Sequence, residues 1–243
     1  MVQITTSTTL GELAVGCPSL ISELERRGFD YCCNGSRSLA EACEQHGLDP
    51  LAVASDLSKA ARDEAAEAWS DMNLLDLVDH VESVHHRYLA AELPRALALV
   101  DAITEEHSQN HPELFEVQRL THEVQADLRP HLVKEERVLF PMVRRLASAK
   151  VAPSFHCGTL QNPISMMLSE HGRVGELLAD LRDAANGYEI PRDACATYRA
   201  CYGLLAEIEA DTRLHLHKEN NVLFPAVVAL EARLAQERRG ATR

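Results

Sequence analysis

One string occurs twice in this chain and limits the fold more than any other feature. The first copy reads His131-Leu132-Val133-Lys134-Glu135-Glu136-Arg137-Val138-Leu139-Phe140-Pro141, and the second reads His215-Leu216-His217-Lys218-Glu219-Asn220-Asn221-Val222-Leu223-Phe224-Pro225. From His131 to His215 the offset is 84 residues. Both copies fit H-x-x-K-E-x-x-V-L-F-P, which is long for a chance match. On a helix four residues advance about 400°, so His131 shares a face with Glu135, and His215 with Glu219. Glu136, about 100° further round, is expected to point away; His217, about 200° from His215, is expected to be solvated. Val117, Leu120, Val124, Leu128, His131, Glu135, Val138 and Met142 advance in steps of three or four. The His and Glu therefore fall in line with apolar residues on a buried stripe.

Two more stripes carry one His each. Leu75, Val78, Glu82, His86, Leu89, Leu93 and Val100 form one, and Ile164, Met167, Leu168, His171, Val174, Leu178 and Leu181 the other, with 85 residues from His86 to His171. His85 leaves the first position open to a slip by one; the stripe and the eight-residue spacing to Pro94 favour His86. Glu82 and Glu170 are candidates for supporting partners. The periodicity reads as four helices, at about 71–107, 112–148, 163–186 and 192–237. Asn162 is expected to cap the third ahead of Pro163, and Gly187 and Pro191 separate the third from the fourth. No strand-like alternation with turn dipeptides is present. The expected fold is all-α: a four-helix bundle of two tandem hairpins, each bringing one His and then one His-x-x-x-Glu to a shared interior.

Burying six such polar groups is costly unless they are paired or bind metal. One buried His is ordinarily a core histidine bonded to a carbonyl; four His and two Glu repeated with pseudo-symmetry are better explained by a pair of divalent ions with bridging carboxylates. Mixed N/O donors in a bundle, with no Cys among them, favour iron over structural zinc, and manganese or adventitious zinc stays open.

Composition narrows the remainder. The 243 residues carry a net charge of −13, which argues against a general nucleic-acid binder and against an anionic membrane surface. The longest notable uncharged run, Val151 to Ser169, is broken by Pro153, His156, Gln161, Asn162 and Pro163 and is no membrane span. The start shows no basic segment leading into an apolar one. Seven Cys is an odd number, and two of them, Cys32 and Cys33, are adjacent, so a reducing cytoplasm is expected.

Residues 1–57 read as a small helical unit, 58–70 as a linker and 71–243 as the bundle. The leading unit contains Leu10-Gly11-Glu12-Leu13, Phe29-Asp30-Tyr31-Cys32-Cys33-Asn34-Gly35 and Ser38-Leu39-Ala40-Glu41-Ala42-Cys43. With the two H-x-x-K-E strings and Pro163-Ile164-Ser165-Met166-Met167-Leu168-Ser169-Glu170-His171, the chain resembles the iron-sulfur cluster repair di-iron proteins of the ScdA/YtfE type, which are hemerythrin-like. The resemblance implies a hemerythrin-like bundle with two non-haem irons, an oxo or hydroxo bridge, and His86, His131, Glu135, His171, His215 and Glu219 as ligands. It implies repair of clusters damaged by oxidative or nitrosative stress, with damaged iron-sulfur proteins or cluster scaffolds as partners, nitric oxide or oxygen as small-molecule ligands, and a homodimer. Cys32 and Cys33 read either as small residues buried at a turn or as thiols that relay electrons or receive iron; the family usually has Gly at the place of Asn34. Two other functions stand beside iron donation: reduction of nitric oxide or peroxide at the centre, and sensing of oxygen or nitric oxide.

Overall fold

Thr9 and Ser38 each start a helix with a reciprocal cap. The Thr9 hydroxyl accepts from the Glu12 amide while Glu12 accepts from the Thr9 amide, and Ser38 and Glu41 repeat the exchange. In the computed structural model, residues 4–61 and 72–241 are described, with side chains to residue 237. Four short helices make the leading unit: α1 (Leu10–Gly16), α2 (Ile21–Arg26), α3 (Leu39–Gln45) and α4 (Pro50–Ala60). Left-handed Gly28 and Gly47, at φ 71° and 64°, turn the chain after α2 and α3. Asp49 then caps α4 with Pro50 at its first position. Leu10, Leu13, Leu20, Leu24, Leu39 and Leu57 are fully buried among them. The linker expected over 58–70 starts inside α4, and its residues 62–70 lie outside the described residues.

Four rods form the bundle. The first is α5 (Leu74–His80), a π-helical turn (Val81–His86) and α6 (Arg87–His107). The second is α7 (Leu114–Lys134), a π turn (Glu135–Leu139) and α8 (Phe140–Ala147). The third is α9 (Gln161–Ala184), without interruption. The fourth is α10 (Ala196–Lys218), a π turn (Glu219–Leu223) and α11 (Phe224–Ala241). Among the described residues there is no β-strand, only two isolated bridges. The fold is all-α, as expected.

The π turns correct the stripes. Each wide turn holds an extra residue, which rotates everything after it relative to an unbroken helix. On the second rod Leu139 is therefore buried at 2%, while Val138, expected on the stripe, is 44% exposed. The third rod shows a smaller departure: Leu168 lies at the edge of its stripe, 40% exposed. α9 begins at Gln161, not after an Asn162 cap; Asn162 instead donates to the Cys157 carbonyl at 2.9 Å. Cys195 stands just ahead of α10 as its cap, its sulfur accepting from the Tyr198 amide at 3.4 Å.

The core divides in two along the rods. One apolar cluster joins Leu89, Leu93, Val117, Leu128, Val174 and Leu205 to the leucines of the leading unit. The other gathers Leu77, Val81, Leu139, Phe140, Ile164 and Phe224 at the opposite end. The polar residues of the stripes lie between these clusters.

Candidate metal centre

His86, His131, Glu135, His171, His215 and Glu219 converge in that polar layer, none more than 1% exposed. They form two groups, His86 with His215 and His131 with His171, each completed by both Glu135 and Glu219. The i,i+4 pairs meet as the repeat requires: Nε2 of His131 lies 3.2 Å from Glu135 Oε2, and Nε2 of His215 lies 3.2 Å from Glu219 Oε1. Across the bundle Nε2 of His86 is 3.2 Å from Nε2 of His215, and Nε2 of His131 is 3.0 Å from Nε2 of His171.

The tautomers follow from the outer ring nitrogens. Nδ1 of His86 donates to Glu136 at 3.0 Å, Nδ1 of His131 to Glu170 at 2.9 Å, and Nδ1 of His171 to the Asn220 side-chain oxygen at 2.6 Å. A neutral imidazole that donates from Nδ1 carries its lone pair on Nε2. On His86, His131 and His171 the neutral ring therefore turns an Nε2 lone pair inward, and where two of them meet, at His131 and His171, they repel unless a cation or a proton lies between them. All four carboxylate oxygens of Glu135 and Glu219 are buried with no hydrogen-bond partner among the described residues. Such groups call for a compensating charge. The donor set fits a cation at each group, and nitrogen and oxygen donors without sulfur suit iron.

Electrostatics agree. Burial raises Glu135 and Glu219 to about 8, with Glu219 adding to the rise at Glu135. Burial pushes His86 down to about 2, and His171 and His215 also well below the usual imidazole range. His131 goes the other way: burial opposes its charge, but the carboxylates beside it, Glu135 first, lift it to about 9.

The aromatic of each L-F-P string stacks on a His of its own hairpin, Phe140 on His86 at 5.5 Å and Phe224 on His171 at 5.8 Å. Pro141 and Pro225 follow directly. A proline lacks the amide an α-helix needs and its ring crowds the preceding turn, and the wide π turn just before it relieves that crowding.

Several expectations are corrected. Glu136 does not point away; it is half exposed, but its long side chain reaches back to His86. His217 is not solvated. The leading unit covers that face of the fourth rod, burying His217 against the Tyr31 ring at 5.3 Å and within 3.4 Å of the Tyr31 carbonyl. His85 lies beside the centre, with Nδ1 on Asp211 at 2.8 Å and Nε2 on the Lys218 ammonium at 2.9 Å. Glu82 turns to Arg144 instead, at 2.7 Å. Asn220, Phe140 and Phe224 were not singled out from the sequence, although all three occupy register positions of the repeat.

Cys32 is buried and Cys33 half-buried, both free, with sulfurs 3.6 Å apart. Asp30 organises their turn, accepting from the Cys33 amide at 2.9 Å and the Cys32 thiol at 3.1 Å. The hydrogen bond with Cys33 first, and burial after it, push the Cys32 thiol well above the usual range. The turn rests on the metal layer: Cys33 Sγ lies 3.4 Å from the His171 carbonyl, and Asn220 donates to the Cys32 carbonyl at 3.0 Å.

Residues 77–227 match the hemerythrin HHE cation binding domain, and residues 6–61 match a domain of unknown function, DUF542. Over 222 residues the chain is 30% identical to the iron-sulfur cluster repair protein YtfE of Escherichia coli O17:K52:H18, and equally to those of Escherichia coli O6:K15:H31 and Shigella boydii serotype 4. Each match covers 91% of this chain and 97% of the relative. With a DUF542 domain leading a hemerythrin HHE bundle whose polar layer is built to hold metal, the chain belongs to the YtfE family of iron-sulfur cluster repair proteins.

Proposed function

We propose that the six converging side chains hold two iron ions, with Glu135 and Glu219 shared between them, and that the protein gives up iron to iron-sulfur clusters damaged by oxidants or nitric oxide. The observation that carries this reading is the pair of buried carboxylates whose four oxygens lack hydrogen bonds, set between two pairs of imidazoles whose Nε2 atoms face each other at about 3 Å. Kinship with named repair proteins across both domains supports cluster repair as the setting.

Iron is the cargo in this reading. Each ion would draw two imidazoles from the chain and share the two carboxylates, fewer donors than a six-coordinate ion accepts. Positions stay open for water, oxygen or nitric oxide, and for the ligands of a client that takes the metal over. The residues around the layer hold the donors ready: Glu136, Glu170 and Asn220 fix three imidazoles with Nε2 inward. The two apolar clusters close the layer from both ends. Client proteins are iron-sulfur enzymes or their scaffolds. We also propose the division at 1–57 and 71–243, a cytoplasmic setting, which seven cysteines outside any disulfide suit, and a homodimer through the leading unit.

Metal content per chain tests the centre, and transfer tests the function. The iron-loaded protein, added to an enzyme with a damaged cluster, is expected to restore activity faster than the same quantity of free iron, and the metal-free protein to restore none. Recovery no better than with free iron counts against donation.

The contact of Cys33 with the His171 carbonyl favours one second reading, reduction of nitric oxide or peroxide with Cys32 and Cys33 passing electrons from an added reductant. Steady turnover, lost when both are changed to Ser, would select it. Stoichiometric binding without turnover selects donation.

A further inference from the structure

The two hairpins are related by pseudo-symmetry, and the relation extends beyond the six inner side chains to the groups behind them. His86 and His171 correspond, and so do their acceptors, Glu136 and Asn220, one position after each shared Glu. His131 and His215 correspond as well, but their surroundings do not. Nδ1 of His131 donates to Glu170, which Lys134 also contacts. The residue in the place of Glu170 on the first rod is His85, and the residue in the place of Lys134 is Lys218. Those two meet at 2.9 Å, so the outer contact is kept while the acceptor is gone. His85 has both ring nitrogens engaged, by Asp211 and Lys218, and lies flat against His215, centroids 5.7 Å apart and planes 10° from parallel. Nδ1 of His215 is consequently buried with no hydrogen-bond partner among the described residues.

From this broken correspondence we infer that the two metal positions are unequal, and that the ion held by His86 and His215 is the one released first. The inference rests on the two-ion reading above. An acceptor behind a ligating imidazole fixes its orientation and raises its basicity, and losing one typically lowers metal affinity by about 10–100-fold. The His131/His171 position has two such acceptors. The His86/His215 position has one, the half-exposed carboxylate of Glu136. His85 is thereby a positioning residue: its stacked imidazole keeps one half of the centre loose.

The test is the time course of iron release from the iron-loaded full chain to a colorimetric ferrous chelator. Two phases of one iron each are expected, separated by about 10-fold or more. His85→Glu supplies the missing acceptor and is expected to slow the fast phase alone. Glu170→Gln weakens the other position and is expected to speed the slow phase, merging the two. The second variant keeps the question answerable if the first fails to fold, as circular dichroism would show. Two irons leaving in a single phase from the unaltered protein would overturn the inference and leave the two-ion centre standing. A fast phase that follows Glu170 in place of His85 would also overturn it. A chain that takes up fewer than two irons would instead defeat the underlying reading.

Discussion

The side-chain oxygen of Asn220 lies 2.6 Å from Nδ1 of His171, and the same amide donates to the carbonyl of Cys32. One side chain thus ties the cysteine turn of the leading unit to a candidate ligand in the bundle. Asn220→Ala removes both contacts and is expected to lower iron affinity by about 10–100-fold. Asn220→Asp keeps an acceptor for His171 but cannot donate to Cys32. It is expected to hold iron within a few-fold of the unaltered chain while hydrogen exchange at residues 30–35 rises. Equal iron loss in both variants would show that the link to Cys32, not the acceptor, sets the affinity.

Metal uptake is expected to release protons. In the metal-free protein Glu135 and Glu219 stand near 8 because burial disfavours their charge, so both hold protons at pH 7. His131, lifted to about 9 by carboxylate charge against the effect of burial, belongs to the same coupled set, so a proton it takes is one that the carboxylates give up. A cation displaces these protons, so affinity is expected to rise with pH through about 9 and then flatten. Calorimetry in buffers of different ionisation enthalpy counts the protons; a count near zero at pH 7 would contradict the assignment. Glu135→Ala and Glu219→Ala are each expected to bring iron content below one per chain, measured by elemental analysis.

Gly35 is where the leading unit meets the fourth rod. A methyl group there would sit 2.8 Å from the Tyr31 carbonyl and closer still to the Asn221 side chain. Gly35→Ala is expected to cost about 1–3 kcal/mol, read as a lower denaturant midpoint. Gly203, in α10, has open space around it, and Gly203→Ala is expected to stabilise by about 0.5–1 kcal/mol through helix propensity alone.

Cys195 is exposed, and its sulfur accepts from the Tyr198 amide and faces Nε2 of His107 at 3.2 Å. The amide bond first and His107 second lower its thiol to about 7. Because the thiolate reacts, iodoacetamide labelling at Cys195 is expected to climb through pH 7 and outpace Cys201, which burial pushes up to about 12. His107→Ala is expected to move the midpoint upward. Peptide mapping by mass spectrometry reads both.

Five of the six inner side chains could be picked out in the sequence because each lies on a rod whose local spacing is regular up to that residue. His86 ends a π turn, and it was separable from His85 by the regular spacing that follows it, through Leu89, Leu93 and Val100. What spacing could not carry was anything dependent on a second element. His217 looks solvated until the leading unit is laid over it, and Glu136 looks idle until the first rod supplies His86. Val138 was misplaced by a different cause, since a uniform 3.6-residue period has no means of marking where a helix widens. Glu82 fitted its stripe but found a better partner in Arg144, a cation on another rod.

The wide turns at Glu135–Leu139 and Glu219–Leu223 behave as dislocations do in a crystal. An extra residue in a helix can migrate along it, because each step only trades one backbone hydrogen bond for the next. Pro141 and Pro225 have no amide to trade. They pin each dislocation one step short of the stacked phenylalanine, so the second and fourth rods resist a slip in register. On those two rods His131, Glu135, His215 and Glu219 keep their register by covalent structure, whatever the layer between the rods contains.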